Sequence, residues 1–380
     1  MRGSAMLFAR TLRPALFALE PETAHRLVVG LIRAFPWFLP ACRSVAGPRV
    51  PPDPALAVRV GSLLFPCPLG ISAGLDKNGE IAGVLSRLGT GFVEVGSVCR
   101  DPNAGHPRPR LFRLPKDRSL LVHYGNPSRG AAAVARRLAA QRFRAPVGVS
   151  LVPGSGSTAD DTEGAVAELA GAARLLAQFA DYFVLNTSCP NVSDVGWEGG
   201  KAPVATLRAW VEAVSRESLG RPLFLKVPPV AEPRAIEAIL RMAEEFPALL
   251  GFAFNLPRQR PAGLRTPAAA IEGLPGALAG PPTAPVFEAA LAAWRARTKG
   301  TRVHLFGGGG VVSAADAYRR IRLGASLVPV CTALVFQGPG LPAALNRDLS
   351  GLLRRDGFKS VSEAVGVDVD GSLSPGVARA

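Results

Sequence analysis

Tyr182-Phe183-Val184-Leu185-Asn186-Thr187-Ser188-Cys189-Pro190-Asn191 is an apolar run that breaks into two amides, two hydroxyls and a thiol. Such a run predicts a buried strand whose carboxyl end offers reactive groups to a ligand. Taken alone, the stretch equally fits a plain turn, with Asn186 and Asn191 as turn formers and Cys189 as a small buried apolar residue. Recurrence of the pattern elsewhere in the chain decides between the two.

Runs rich in Val, Leu and Phe end in small or polar residues at 69–73, 92–97, 146–150, 182–186, 223–227, 251–255, 303–307 and 326–330. Near-continuous apolar runs without alternation predict strands buried on both faces, hence a parallel sheet with helices outside it. Helical segments fill the gaps at 78–88, 130–141, 163–179, 203–218, 233–246, 285–297, 313–323 and 341–355. Val166, Leu169, Ala173 and Leu176 mark the inward stripe of one of them. Eight such units close an α/β fold of the (β/α)8 TIM-barrel type; a doubly wound open sheet is the competing architecture. The expected division is an amphipathic helical extension over 1–45, the barrel over 46–366 and a disordered tail over 367–380.

The chain has 380 residues, 48% of them hydrophobic, ample for one large core. Its net charge of +15 comes almost wholly from arginine dispersed over many helices. With no basic-aromatic stripe or nucleic-acid motif beside it, this charge does not predict nucleic-acid binding. Arg2, Arg10, Arg13, Arg26 and Arg33 sit among Leu, Phe, Val and Trp in two expected short helices, 5–19 and 23–35. That composition suits a helix pair lying on an anionic membrane surface and equally a cap on the barrel. No charge-free apolar run reaches the roughly 18 residues needed to span a bilayer, and no secretory signal is recognisable. Five cysteines, odd in number and without a CxxC pair, indicate neither a disulfide framework nor a zinc site. A cytoplasmic location is expected, with the first helices able to rest on the inner face of a membrane. His25, His106, His123 and His304 do not cluster with carboxylates, so no metal is expected.

Barrels of this type carry their active sites at the carboxyl ends of the strands. That rule gathers Ala73, Gly74, Lys77, Ser97, Ser150, Asn186, Cys189, Asn191, Lys226, Asn255, Gly309, Gly310 and Thr332 at one rim. Lys226 stands inside an apolar strand, where an unpaired ammonium is costly. It requires an electron-rich ligand or an ion pair to a neighbouring strand, for example to Glu94. The glycine run 307–310, followed by Val311-Val312-Ser313 and a helix, can aim backbone amides at a phosphate. Cys331-Thr332 at the next strand end completes the two-loop phosphate site usual after the last strands of barrels. A phosphate site, an in-strand lysine and amide-bearing strand ends describe a flavin mononucleotide (FMN) pocket.

At this point the chain resembles the dihydroorotate dehydrogenases, above all their membrane-associated, quinone-dependent class. The likeness is carried by Leu19-Glu20-Pro21-Glu22-Thr23-Ala24-His25, by the segment 68–80, by Pro109-Arg110-Leu111-Phe112-Arg113-Leu114, by the asparagine-cysteine turn and Lys226, by the glycine run, and by 356–366. The resemblance implies FMN held by Ala73, Gly74, Ser97, Asn186, Lys226, Gly280, Gly310, Cys331 and Thr332, with Lys226 stabilising negative charge near N1 and O2 of the ring. It places Lys77, Asn186, Asn191 and Asn255 against a pyrimidine substrate. Cys189 occupies the base position, where the quinone-dependent class normally carries serine and the soluble class cysteine. The amino-terminal helices would admit a quinone, with His25 and Arg113 on that side. The implied reaction is oxidation of dihydroorotate to orotate in pyrimidine biosynthesis, with reoxidation by quinone; the oligomeric state stays open.

The departures from the family pattern concentrate in the pocket. A family segment Asn-Arg-Met-Gly-Phe-Asn-Asn reads here from Val122 through His123, Tyr124, Gly125 and Asn126 to Ser128. The family's Thr-Asn-Thr reads Phe254-Asn255-Leu256, and its flavin-side asparagine is Ser150. One expectation keeps the parent reaction, with lost contacts rebuilt by His123, Tyr124 or Asn126. A second is a diverged enzyme acting on another cyclic amide or conjugated carbonyl compound, and a third is a flavin-binding scaffold without turnover.

Overall fold

The computed structural model describes residues 8, 12–37, 53–154, 162–188 and 203–371. Within them eight parallel strands close a barrel: β1 (Leu69–Asp76), β2 (Val93–Val98), β3 (Val147–Leu151), β4 (Tyr182–Asn186), β5 (Leu223–Val227), β6 (Leu249–Phe254), β7 (His304–Phe306) and β8 (Ala325–Val330). Each pairs with its neighbour in sequence, and β8 pairs back onto β1 through Val328 and Leu69. Every apolar run singled out in the sequence is one of these strands. Sequence order and spatial order coincide because each crossover returns past a helix to the adjacent strand.

Before the barrel lie α1 (Arg13–Ala18) and α2 (Pro21–Ala34). Glu20 starts α2 by accepting the amides of Glu22 (2.9 Å) and Thr23 (2.7 Å), with Pro21 at the first helical position. Around the barrel run α3 (Ala131–Ala139), α4 (Thr162–Leu176), α5 (Val204–Glu217), α6 (Pro233–Glu245), α7 (Ala284–Thr298), α8 (Ala314–Arg322) and α9 (Leu341–Arg355). The expected helix over 78–88 contracts to Ala82–Leu85. The Asp76 carboxylate accepts the amides of Glu80 and Ile81, both at 2.8 Å, and so holds the preceding residues in a turn. At the other end, the short helix Val367–Asp370 packs on the barrel through buried Val367 and an Asp370–Arg295 ion pair. The folded unit therefore runs past residue 366, where the sequence reading began the tail.

A plug of rings fills the amino-terminal end of the barrel: Phe65, Phe92, Tyr182, Phe224 and Phe306, with centroids 4.7–6.4 Å apart. It closes that end, and the cavity opens at the other. Two long excursions, after β2 and after β6, meet above the mouth in a three-stranded antiparallel sheet of Leu111–Leu114, Ser119–Val122 and Ala277–Ala279. Asp117 ties them together by accepting the amides of Arg265 (2.7 Å) and Thr266 (2.9 Å). The expectation of β/α alternation alone missed this sheet, since its partners lie far apart in sequence.

Candidate active site

At the carboxyl ends of the strands lies a cavity of about 240 Å3. Of the residues expected at the rim, Ala73, Gly74, Lys77, Ser97, Asn186, Lys226, Asn255, Gly309, Gly310 and Thr332 line it, as do Gly280, Cys331, Val122, Tyr124, Asn126 and Leu256. Cys189 and Asn191 lie outside the described residues.

A chain of hydrogen bonds crosses the mouth. Asn255 Nδ2 donates to Asn186 Oδ1 at 2.7 Å, Asn186 Nδ2 donates to Ser97 Oγ at 2.9 Å, and Ser97 Oγ lies 3.0 Å from Ser150 Oγ. The relay links β6, β4, β2 and β3, each residue standing at or near the end of its strand. Ser150 is fully buried behind Ser97 and does not reach the cavity wall. Its hydroxyl meets Ser97 from behind.

Lys226 reaches the cavity from β5. Behind it Glu94 is buried at 3% exposure; one carboxylate oxygen accepts the Ala73 amide at 3.2 Å and the other has no hydrogen bond. Burial pushes the Glu94 carboxyl above the usual range, while Lys226 and the Ala73 amide pull it back. No ion-pair contact joins Lys226 to Glu94, so the alternative of a direct pair is not formed; the ammonium acts on the carboxylate through space.

Lys77 donates to Gly74 O at 2.8 Å and sits 3.7 Å from the centre of the Tyr124 ring. Burial pulls its pKa down to about 8. Burial raises the Tyr124 phenol and the Cys331 thiol, the latter against the pull of Lys77 and Lys226. His25 also lines the cavity, and Nε2 donates to Leu75 O at 2.7 Å. Burial, then Lys77, takes its pKa down to about 4, so it is the neutral Nε2–H form.

His123 is not brought to the cavity. It stands just past the strand Ser119–Val122, and its ring packs on His106 at 4.0 Å while its neighbours Val122 and Tyr124 line the cavity. Arg113 also lies off the cavity wall. Its guanidinium donates to Leu19 O (2.7 Å), Leu16 O (3.3 Å) and Phe17 O (3.4 Å), capping the end of α1, and stacks over Phe17 at 4.6 Å. Phe17 in turn meets Phe336 edge to face at 5.3 Å. The side of the cavity toward α1 is thus apolar, with Leu111, Leu120 and Val335 beside these rings. Among the described residues no His, Cys, Asp and Glu cluster could hold a metal, and no helix is long and apolar enough to cross a membrane.

Sequence reasoning missed the apolar wall contributed by the mouth sheet and the ring of Tyr124 over Lys77. Leu120, Val122 and Tyr124 reach the cavity at every second position, but Leu120-Leu121-Val122 is apolar throughout, so no polar–apolar alternation announced the inward face.

A family model described as Dihydroorotate dehydrogenase matches residues 55–353. Relatives named Dihydroorotate dehydrogenase (quinone) include one from Natronomonas pharaonis, 38% identical over 94% of this chain and 98% of the relative. Others come from Rhodospirillum rubrum, at 39% over 95% and 96%, and Thermobifida fusca, at 37% over 98% and 100%. Among solved structures, DHODH of Eimeria tenella in complex with ferulenol superposes with a TM-score of 0.78 at 27% identity, covering 92% of this chain and 95% of that one. The ligand-free form from the same organism gives 0.77 at 28% identity, over 92% and 99%.

Proposed function

The chain belongs to the dihydroorotate dehydrogenase family, and we propose that it oxidises dihydroorotate to orotate with FMN as cofactor and a quinone as electron acceptor. The observation that carries this reading is the Asn255–Asn186–Ser97–Ser150 relay laid across the barrel mouth beside Lys226. The quinone-named relatives are matched over nearly their whole length, which supports the acceptor.

The residues present fit FMN. The Gly74 position lines the cavity with φ +111°, and a Cβ built there meets nothing within 4 Å, so the floor lies open to a flat ring. A Cβ at Gly309 would run into the Phe287 ring, so only glycine allows that turn. Arg320, paired with Glu288, takes the Gly309 carbonyl at 2.9 Å, while among the described residues the Gly309 and Gly310 amides have no protein acceptor. Those amides, with Thr332, would hold the phosphate.

Bound FMN would supply the acceptor for a hydride and pass the electrons on to quinone. Lys226 would place a fixed cation against the cofactor in a site screened from water, where its charge acts strongly. Asn186 and Asn255, locked to one another, would present their remaining polar atoms to the pyrimidine ring. Lys77 would bind its carboxylate. Cys189 would take the proton from the ring carbon next to the carbonyl, a task for which a thiolate is far readier than a serine hydroxyl. The apolar side toward α1 would receive the quinone, and the helix pair would rest on a membrane surface.

Anaerobic mixing of the FMN-loaded protein with dihydroorotate tests the proposal: the flavin absorbance should bleach and return on adding a quinone. A flavin that stays oxidised would rule it out. A second reading, oxidation of a different cyclic amide or conjugated carbonyl compound, is favoured by the aliphatic side chains of Val122 and Leu256 in the cavity wall. Bleaching by such a compound and not by dihydroorotate would establish that reading.

A further inference from the structure

A second and larger cavity, about 700 Å3, lies between α2 and the loops that follow β1 and β2. It adjoins the first, for His25, Leu75, Lys77, Tyr124 and Pro127 line both. The ammonium of Lys77 and the ring above it therefore form the partition between the two spaces.

The lining of this chamber is strongly cationic. Arg26, Arg33, Lys77, Arg108, Arg110 and Arg129 face three carboxylates, Glu22, Asp76 and Glu80. Each carboxylate is already engaged. Glu22 takes Arg110 through both oxygens (2.9 and 3.0 Å) and Arg108 at 2.9 Å. Glu80 is shared by Arg33 at 3.6 Å and Arg137 at 3.3 Å, and Asp76 is held by two backbone amides. Arg26 and Arg129, both exposed, have no carboxylate partner among the described residues; Arg26 reaches only Thr23 Oγ1, at 3.4 Å. Positive charge is thus uncompensated at the outer end, and Lys77 waits at the inner end.

We infer that this chamber is an antechamber for small carboxylate anions, through which the anionic substrate reaches Lys77 and the anionic product leaves. The inference rests on the functional reading above for the identity of the anion, though not for the chamber itself. Among the described residues, two sides of the inner cavity then differ in polarity as the two reactants do. The side toward α1 is walled by Leu111, Leu120 and Val335, backed by the Phe17 and Phe336 rings, whereas the chamber under α2 is walled by guanidinium groups. A channel lined by one sign of charge raises the local concentration of its counter-ion and its rate of arrival by about tenfold or more, an effect that salt screens.

Two measurements on the FMN-loaded full-length protein test the inference. In the first, orotate association is followed by stopped flow through the flavin absorbance, at low and at high ionic strength. Arg26→Glu and Arg129→Glu should each slow association about three- to tenfold at low salt and flatten its salt dependence. Arg216→Glu, on the outer face of α5, should leave both unchanged. In the second, Lys77 is labelled by reductive alkylation with 4-formylbenzoate or with uncharged benzaldehyde and quantified by peptide mass mapping. The wild type should favour the anionic aldehyde, and the Arg26 and Arg129 variants should lose that preference. If neither the salt dependence nor the labelling preference responds to the two variants, the antechamber is refuted. If orotate leaves the flavin spectrum undisturbed while labelling follows the charge at 26 and 129, the functional reading fails and the chamber stands.

Discussion

Asn255 Nδ2 lies 2.7 Å from Asn186 Oδ1, a bond that spans β5 and ties together the ends of two strands that are not neighbours in the barrel. Both side chains are 7% exposed, so neither has water as an easy alternative partner. The geometry of the mouth depends on this pair.

Replacing Asn186 with Ala leaves the Asn255 amide and the Ser97 hydroxyl without their partner. Loss of about 1–3 kcal/mol of stability is expected, together with weaker FMN retention. Denaturant unfolding and flavin release on gel filtration measure the two effects. Asn186→Asp, which keeps the acceptor for Asn255 but not the donor to Ser97, should fall between wild type and Ala.

Lys226→Met removes the cation at the end of β5 and leaves Glu94 buried without the opposing charge that draws its carboxyl down. The rate of flavin reduction by the donor should fall by about two orders of magnitude or more. Rapid-mixing absorbance of the flavin reads the rate directly. An unchanged rate would remove Lys226 from the chemistry.

Activity should depend on pH through Lys77. Its pKa is lowered to about 8, so the ammonium persists below that value and is lost above it. If the ammonium binds the substrate carboxylate, kcat/KM for the donor falls as pH rises through about 8. Tyr124→Leu deletes the ring over Lys77 and about 0.5–2 kcal/mol of cation–π stabilisation. The inflection should then move down by about half a unit to one and a half units.

His25 gives a stability signature. Its pKa is about 4 in the folded protein against 6.5 for the free side chain. Between those values the unfolded chain binds the proton and the native protein does not. Stability is therefore unaffected by His25 above pH about 6.5 and is lost progressively as pH falls toward 4, by about 3 kcal/mol at most. His25→Asn should flatten that part of the pH–stability curve relative to wild type.

The wall formed by Val122 and Leu256 predicts specificity. Restoring polar groups with Val122→Asn and Leu256→Thr should tighten orotate binding about tenfold if the parent reaction is retained. No gain in a flavin-perturbation titration would point to a different substrate.

The barrel was legible because each strand is a local apolar run buried on both faces, and its end marks the rim wherever the helices pack. Lys226, Asn186, Ser97 and Gly309 were readable for the same reason: each stands at or just beyond a strand end. Position in a strand does not reveal direction in space. Ser150, equally a strand residue, lies behind Ser97, and His123, just past the end of its strand, packs on His106 while Val122 and Tyr124 line the cavity.

The sequence by itself determined the barrel and the residues at its rim, since these follow from periodicity and from the ends of local elements. Only the tertiary structure decided the partition of Lys77 and Tyr124 between two cavities, the sheet over the mouth and the capping of α1 by Arg113. Those features join residues tens to more than a hundred positions apart, such as Asp117 with Thr266, and they arise from packing of excursions that carry no periodic signal of their own.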